Sequence, residues 1–180
     1  MVARCLNLLI ITAALGGPVL AWASSGNDRH HENQPVVDYL SHSARLEIKQ
    51  LEQEIERCSH AARSREISQD EVLADLQSEY GREALISALG HLHFRNQLQC
   101  ELAARQSLSY TLATLDSVAD DEAVIVDEIA SYPRSLLYPS ARELAYELRY
   151  EDLPSELKGS LEALLGSEPF DLLTVLDFDK

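Results

Sequence analysis

The stretch NQPVVDYLSHSARLEIKQLEQEIERCSHAARS, residues 33–64, decides the fold. Its apolar residues recur every three or four positions, and mostly polar and charged residues occupy the positions between them. The recurring residues are Val37, Leu40, Ala44, Ile48, Leu51, Ile55, Cys58 and Ala62. This spacing is close to a heptad seam and predicts one long amphipathic helix. We expect the helix to begin at Asn33, with Pro35 in its first turn, and to end near Ser64.

Helical patterns continue along the rest of the chain, where glycines are few and β-branched residues rarely cluster. The chain therefore predicts an all-α bundle of about six to seven helices with a long N-terminal helix. We expect a single helical domain over residues 34–180. Within it, residues 34–115 should form long helices and residues 116–180 shorter, acidic ones.

Two of the shorter helices have clear signals at their ends. One opens at Pro139, with Ser140 and Glu143 in its first turn. We expect it to turn inward Ala141, Leu144, Ala145 and Leu148. Another should run over residues 155–165 and end at Gly166, because glycine is favoured just past the end of a helix.

A capping box at residues 68–71 predicts the start of the second helix. Its expected core stripe runs through Val72, Leu76, Tyr80, Ala84, Leu85, Leu89 and Leu92. In a hairpin folded directly after the first helix, Cys58 lies opposite residue 74. Cys100 would then lie roughly 39 Å further along the returning helix. A disulfide needs Cα atoms within about 7 Å, so a bond between the two cysteines predicts a second reversal near residue 87, with Gly90 as the helix breaker.

The first 23 residues have the pattern of a signal peptide. Arg4 makes the start basic, Leu6 to Leu20 is nearly all apolar, and Ala21-Trp22-Ala23 is a small-x-small cleavage site. The apolar stretch is short for a membrane span, and no second one follows. We expect cleavage of residues 1–23, a flexible polar tail over residues 24–33, and a soluble protein exported to the periplasm or the medium. Of the three cysteines, only Cys58 and Cys100 remain after cleavage, which predicts one disulfide, within the chain or between molecules.

The charge of the chain limits the kinds of partner it can have. Without residues 1–23 the net charge is −16, and residues 116–180 alone carry −11. Nucleic acids and anionic membranes are therefore not expected as partners, because both are bound through Lys and Arg. A basic protein or a divalent cation would be attracted, while simple solubility or adaptation to salt is the alternative explanation.

Motifs of known chemistry are missing from the chain. It has no Gly-x-Ser-x-Gly elbow, glycine-rich phosphate loop, Cys-x-x-Cys pair or His-Glu-x-x-His helix. His30 and His31 lie in the expected tail, and His91 and His93 are spaced to point to different faces of a helix. We therefore expect no catalytic residues, no metal site, no cofactor and no enzymatic activity.

Aromatic and charged side chains interleave in the C-terminal half, which is typical of a protein-binding surface. The candidate residues are Tyr138, Arg142, Glu143, Tyr146, Glu147, Arg149, Tyr150 and Glu151. The alternative is that the tyrosine rings cover the core and leave their hydroxyls in water.

Residues 50–105 resemble LprI-like lysozyme-inhibitor domains. The stretch Gln53 to Ala62, centred on Cys58, is similar to that family's helix with a Cys followed by small residues. Residues 92–101 are similar to its aromatic, Arg-Asp, Cys signature, although Asn96 replaces the Asp. The resemblance implies an exported, disulfide-bonded helical domain that binds a cell-wall-degrading enzyme.

Two functions follow from these observations. The first is an exported acidic helical binding protein that inhibits lysozyme-type cell-wall hydrolases. The alternative is a periplasmic chaperone, adaptor or assembly factor that uses the seam of the first helix. Ala44, Cys58 and Ala62 weaken that seam, which favours internal packing over a partner helix. The oligomeric state stays open.

Overall fold

The computed structural model describes residues 28–67, 70–118 and 131–176. These ranges contain no strand. Their six helices are α1 (Asp28–Ser64), α2 (Asp70–Tyr80), α3 (Arg82–Val118), α4 (Ala141–Glu151), α5 (Ser155–Leu165) and α6 (Leu172–Leu176). Residues 131–137 are also helical. The predicted all-α fold with a long N-terminal helix is confirmed. The expected signal peptide and the first two residues of the capping box, Ser68 and Gln69, lie outside the described residues.

Helix α1 begins earlier than its apolar pattern predicts. It ends at Ser64 as expected, but it starts at Asp28, so residues 28–33 of the expected tail are helical. Pro35 consequently lies inside the helix and not in its first turn. The seam does not predict this extension, because the apolar seam itself begins only at Val37, its first buried residue.

Helices α1 and α3 pack along each other and form the first core cluster. Its buried residues are Val37, Ala44, Leu51, Ala104, Leu108, Leu112 and Leu115. Cys58 is bonded to Cys100, with 6.1 Å between the Cα atoms, so the predicted disulfide is confirmed and lies within the chain. Earlier in α1, Glu47 accepts a hydrogen bond of 3.1 Å from Ser107, which lies later in α3. The two helices therefore run antiparallel.

The chain reverses at Gly81, and the prediction of a break near Gly90 is wrong. Helix α3 continues unbroken through residue 90. Gly81 has φ +87, a left-handed conformation that glycine adopts without strain, and it separates α2 from α3. The expected hairpin turns directly after α1, whereas α2 lies between α1 and the reversal. Residue 79 is midway between the two cysteines, so one reversal next to it brings them together.

A second core cluster joins α2 and the first half of α3 to the C-terminal helices. Its buried residues are Leu73, Leu76, Leu85, Ala88, Leu89, Leu92, Tyr150, Leu157, Leu161, Leu165, Phe170 and Val175. The stripe expected on α2 is partly wrong, because Leu73 is buried while Val72 is 42% exposed. Helix α5 spans Ser155–Leu165 and ends at Gly166, as predicted. None of the helices in the described ranges is both long and apolar enough to span a bilayer.

Gly90 lets α4 approach α3 closely. A Cβ atom at this position would lie 2.6 Å from two ring carbons of Tyr146, which is too close for any side chain. Alanine is normally favoured over glycine inside a helix by about 1 kcal/mol. Here the contact with the ring reverses that preference, because forcing an extra carbon into a packed site costs about 1–3 kcal/mol.

We expect Gly90→Ala to lower the free energy of unfolding by about 1–2 kcal/mol, measured by urea denaturation. The matched control is Gly159→Ala in α5, where a Cβ atom would meet nothing within 4 Å. That variant should gain about 0.5–1 kcal/mol. In a Tyr146→Ala background the penalty at residue 90 should shrink, since the clashing ring is gone. Equal gains at both glycines would show that α4 does not sit on α3 as described.

Candidate protein-binding surface

A capping box sets the start of α4. The Ser140 hydroxyl accepts a hydrogen bond of 3.2 Å from the Glu143 backbone N–H. In return, the Glu143 carboxylate accepts one from the Ser140 backbone N–H. The helix therefore begins at Ala141 with Ser140 as its N-cap, two residues after the predicted start at Pro139. Glu143 is half-buried and serves this cap.

The inner face of α4 carries two of the predicted tyrosines. The Tyr146 ring lies against Gly90 and 5.9 Å from the Phe94 ring, centroid to centroid. Tyr150 is only 7% exposed and stacks on His91, with 4.1 Å between ring centroids. Its hydroxyl donates a hydrogen bond of 3.0 Å to Glu162 Oε1. Both rings thus fasten α4 to α3 and α5.

The surroundings of Tyr150 change three titrations. Burial, followed by the hydrogen bond to Glu162, raises the pKa of the Tyr150 phenol to about 12. The Arg95 guanidinium, 2.6 Å from Glu162 Oε1, lowers the pKa of that carboxyl, and the Tyr150 hydroxyl adds to this effect. Burial, with Arg95 nearby, lowers the pKa of His91. The folded protein therefore favours a neutral Tyr150, a charged Glu162 and a neutral His91.

Alkaline pH should destabilise the protein through Tyr150. The folded pKa of this phenol is above its unfolded value of about 10, so its stabilisation is present below pH 10 and is lost as pH rises toward 12. We expect about 2 kcal/mol of unfolding free energy to disappear over this window. In Tyr150→Phe the unfolding free energy should fall less between pH 10 and 12 than it does in the wild type. Tyr138→Phe, which changes an exposed ring, should show the same fall as the wild type. Urea denaturation at several alkaline pH values measures this, and equal slopes in both variants would contradict it.

The outer face of α4 is apolar at its centre, which contradicts the expectation that Leu144 and Leu148 point inward. Leu144 is 44% and Leu148 is 71% exposed. On a helix, these leucines lie opposite the two tyrosines. The larger aromatic rings take the inner positions because Gly90 makes room for one of them and Glu162 satisfies the hydroxyl of the other.

The eight predicted binding residues differ in exposure; seven lie on α4, and Tyr138 lies just before it. Tyr138, Arg142, Glu147, Arg149 and Glu151 are exposed, and Tyr138 is 69% exposed. The guanidinium groups of Arg142 and Arg149 lie 5.8 and 5.9 Å from the Tyr146 ring centroid. Glu143 and Tyr146 are half-buried, and Tyr150 is buried. Sequence reasoning missed Leu144 and Leu148 as surface residues, because their i, i+4 spacing opposite the tyrosines does not say which side faces the core.

A cleft of about 390 Å³ lies beside this surface, next to the only acidic side chain that is almost fully buried in the described part of the chain. That side chain, Glu101, is 1% exposed and forms an ion pair of 2.6 Å with Arg105. Gln97 also donates to its carboxylate. Arg105 in turn donates a hydrogen bond to the Leu136 carbonyl. The pair is therefore satisfied by its own chain, and it ties α3 to the helical residues 131–137.

The described histidines make structural contacts or lie on α1. His91 stacks on Tyr150, and His93 Nδ1 lies 2.8 Å from the Phe170 carbonyl oxygen. Within residues 28–67, 70–118 and 131–176, no three His, Cys, Asp or Glu side chains come together in a way that could hold a metal ion. The side chains of His30 and His31 lie outside this description.

No protein-family model, curated protein or solved structure matches this chain. The resemblance of residues 50–105 to LprI-like domains therefore stays a hypothesis that these comparisons neither support nor oppose. The function has to be argued from the chain's own charge and surface.

Proposed function

We propose that this chain is an exported, non-enzymatic helical protein that binds a basic protein, with lysozyme-type cell-wall hydrolases as the class of partner. The observation that carries the proposal is the net charge of −11 over residues 116–180. In the described part of this region, exposed acidic side chains lie on or beside α4. They include Glu147, Glu151, Asp152 and Glu156. Such a surface raises the encounter rate with a cationic protein.

Two further observations support export and this class of partner. The pattern of residues 1–23 is that of a signal peptide. The Cys58–Cys100 bond suits an oxidising compartment such as the periplasm or the medium. Cell-wall hydrolases act in the same compartments, and the resemblance of residues 50–105 to a lysozyme-inhibitor family points to them.

The alternative is a chaperone or adaptor that binds a partner through the seam of the first helix, but that seam is buried. Val37, Ala44 and Leu51 of that seam are buried against α3. A partner helix would have to displace α3 and break the disulfide that joins it to α1. An adaptor role would therefore need another face of the molecule.

The test is inhibition of cell-wall lysis by a basic lysozyme. The full chain is expressed, the exported protein is purified, and mass spectrometry checks cleavage after Ala23. Stoichiometric exported protein should inhibit lysis at low salt and inhibit it less at physiological ionic strength. Glu147→Lys with Glu151→Lys should weaken inhibition more than Glu56→Lys with Glu71→Lys, a matched change of exposed charges on α1 and α2. Absence of inhibition at an excess of exported protein at low salt would refute the partner class.

A further inference from the structure

The most apolar side of α4 faces solvent in the described structure. Leu144 and Leu148 are 44% and 71% exposed and stand one helical turn apart. Glu147 and Glu151 follow them at i+3 and are both exposed, so each leucine has an acidic neighbour on the same side of the helix. We call these four residues the outer α4 face.

The opposite side of α4 is already occupied, so within the described residues the outer α4 face is the side of this helix left open to a partner. Tyr146 lies against Gly90, and Tyr150 stacks on His91. Glu143 is engaged in the cap with Ser140. Ala145, beside the leucines, has a small side chain that allows another helix to come close. The face thus has the form of half a helix pair: an apolar seam with Glu147 and Glu151 along one edge, while the exposed Arg142 and Arg149 lie further round the helix, near the Tyr146 ring.

The charge of the flanks decides what fits the face. A partner helix that buries the two leucines would lie next to Glu147 and Glu151, and Lys or Arg at its flanking positions would pair with them. A second copy of this chain is disfavoured by its overall charge, since the chain without residues 1–23 carries −16. An anionic lipid surface is repelled for the same reason. The observations therefore favour a basic amphipathic helix of a protein partner.

We propose that the outer α4 face is the docking site for a basic amphipathic helix, with Leu144 and Leu148 as the buried anchors and Glu147 and Glu151 as the charged flanks. This inference rests on the proposed function, and it names the element by which the basic partner is held. The binding mode is the helix-to-helix recognition in which side chains at i and i+4 act as anchors.

The probe is a synthetic helical peptide of Leu and Lys whose leucines line up on one face, and the control peptide has the same composition in scrambled order. Titration calorimetry with the exported protein measures both. We expect the ordered peptide to bind at least tenfold more tightly than the scrambled one. Leu144→Ser with Leu148→Ser should weaken binding about tenfold or more. The matched control is Leu173→Ser, at a leucine that is 76% exposed on α6, and it should bind as the wild type does. Circular dichroism checks that each variant is folded.

The outcomes separate this inference from the proposed function. Equal binding of both peptides, or unchanged binding in the double leucine variant, overturns the docking site. Sedimentation that shows a dimer dissociated by the same variant would assign the face to a second copy and also overturn it. If the wild type and the double leucine variant inhibit lysozyme equally, the proposed function is supported and the docking site is refuted. If the ordered peptide binds as expected but lysozyme is not inhibited, the site stands and the lysozyme partner falls.

Discussion

Arg105→Met should lower the free energy of unfolding by about 3–5 kcal/mol, the largest effect we expect from a single substitution. The carboxylate of Glu101 is 1% exposed, and Arg105 supplies the charge that balances it. Removing the guanidinium leaves a buried negative charge with only Gln97 as a donor. It also leaves the Leu136 carbonyl without the hydrogen bond from Arg105. Urea denaturation at neutral pH measures the loss.

Two control variants distinguish the cost of leaving the Glu101 charge buried from the cost of losing an ion pair. Arg95→Met breaks an ion pair of the same 2.6 Å length with Glu162, but there both side chains are at least 40% exposed. It should cost about 1 kcal/mol or less, because solvent screens exposed pairs. Glu101→Gln in the Arg105→Met background should recover part of the stability by removing the buried charge. Similar losses for Arg95→Met and Arg105→Met would show that the site of Glu101 is open to water.

Loss of the disulfide should be nearly as costly. Replacing both Cys58 and Cys100 with Ala is expected to lower the free energy of unfolding by about 4 kcal/mol, because the bond closes a loop with a sequence separation of 42. Alanine avoids placing a new polar group at Cys58, which is fully buried. Urea denaturation of the exported protein measures the effect. Thiol labelling of the unreduced, denatured protein should find neither Cys58 nor Cys100 reactive, and two reactive thiols would contradict the bond.

The regular features of the fold could be predicted from the sequence because they depend on nearest neighbours along the chain. The seam of α1 and the end of α5 at Gly166 are of this kind, and the start of α4 lies within two residues of the predicted one. The place of the reversal is not of this kind: a hairpin folded directly after α1 puts it near Gly90, whereas α2 lies between α1 and the reversal at Gly81. The packing of Tyr146 on Gly90, between residues far apart in the sequence, explains why that glycine sits inside a helix.

The candidate site was predicted in part for a similar reason. Helical spacing placed the tyrosines and leucines of α4 on opposite sides, but it did not say which side faces the core. That choice depends on long-range partners: Gly90 for the ring of Tyr146, and Glu162 for the hydroxyl of Tyr150. Leucine is more often buried than tyrosine, so the pattern of residues alone favours the wrong side, with Leu144 and Leu148 turned inward.

The kinetics of binding to a basic lysozyme as a function of salt test the central claim most directly. Between about 0.01 M and 0.15 M salt the Debye length falls from about 30 Å to about 8 Å. If the acidic surface attracts the partner and the leucines of α4 hold it, the association rate constant should fall about tenfold or more over this range. The dissociation rate constant, which depends on short-range packing, should change much less. An association rate that is independent of salt and of charge reversal at Glu147 and Glu151 would contradict the account.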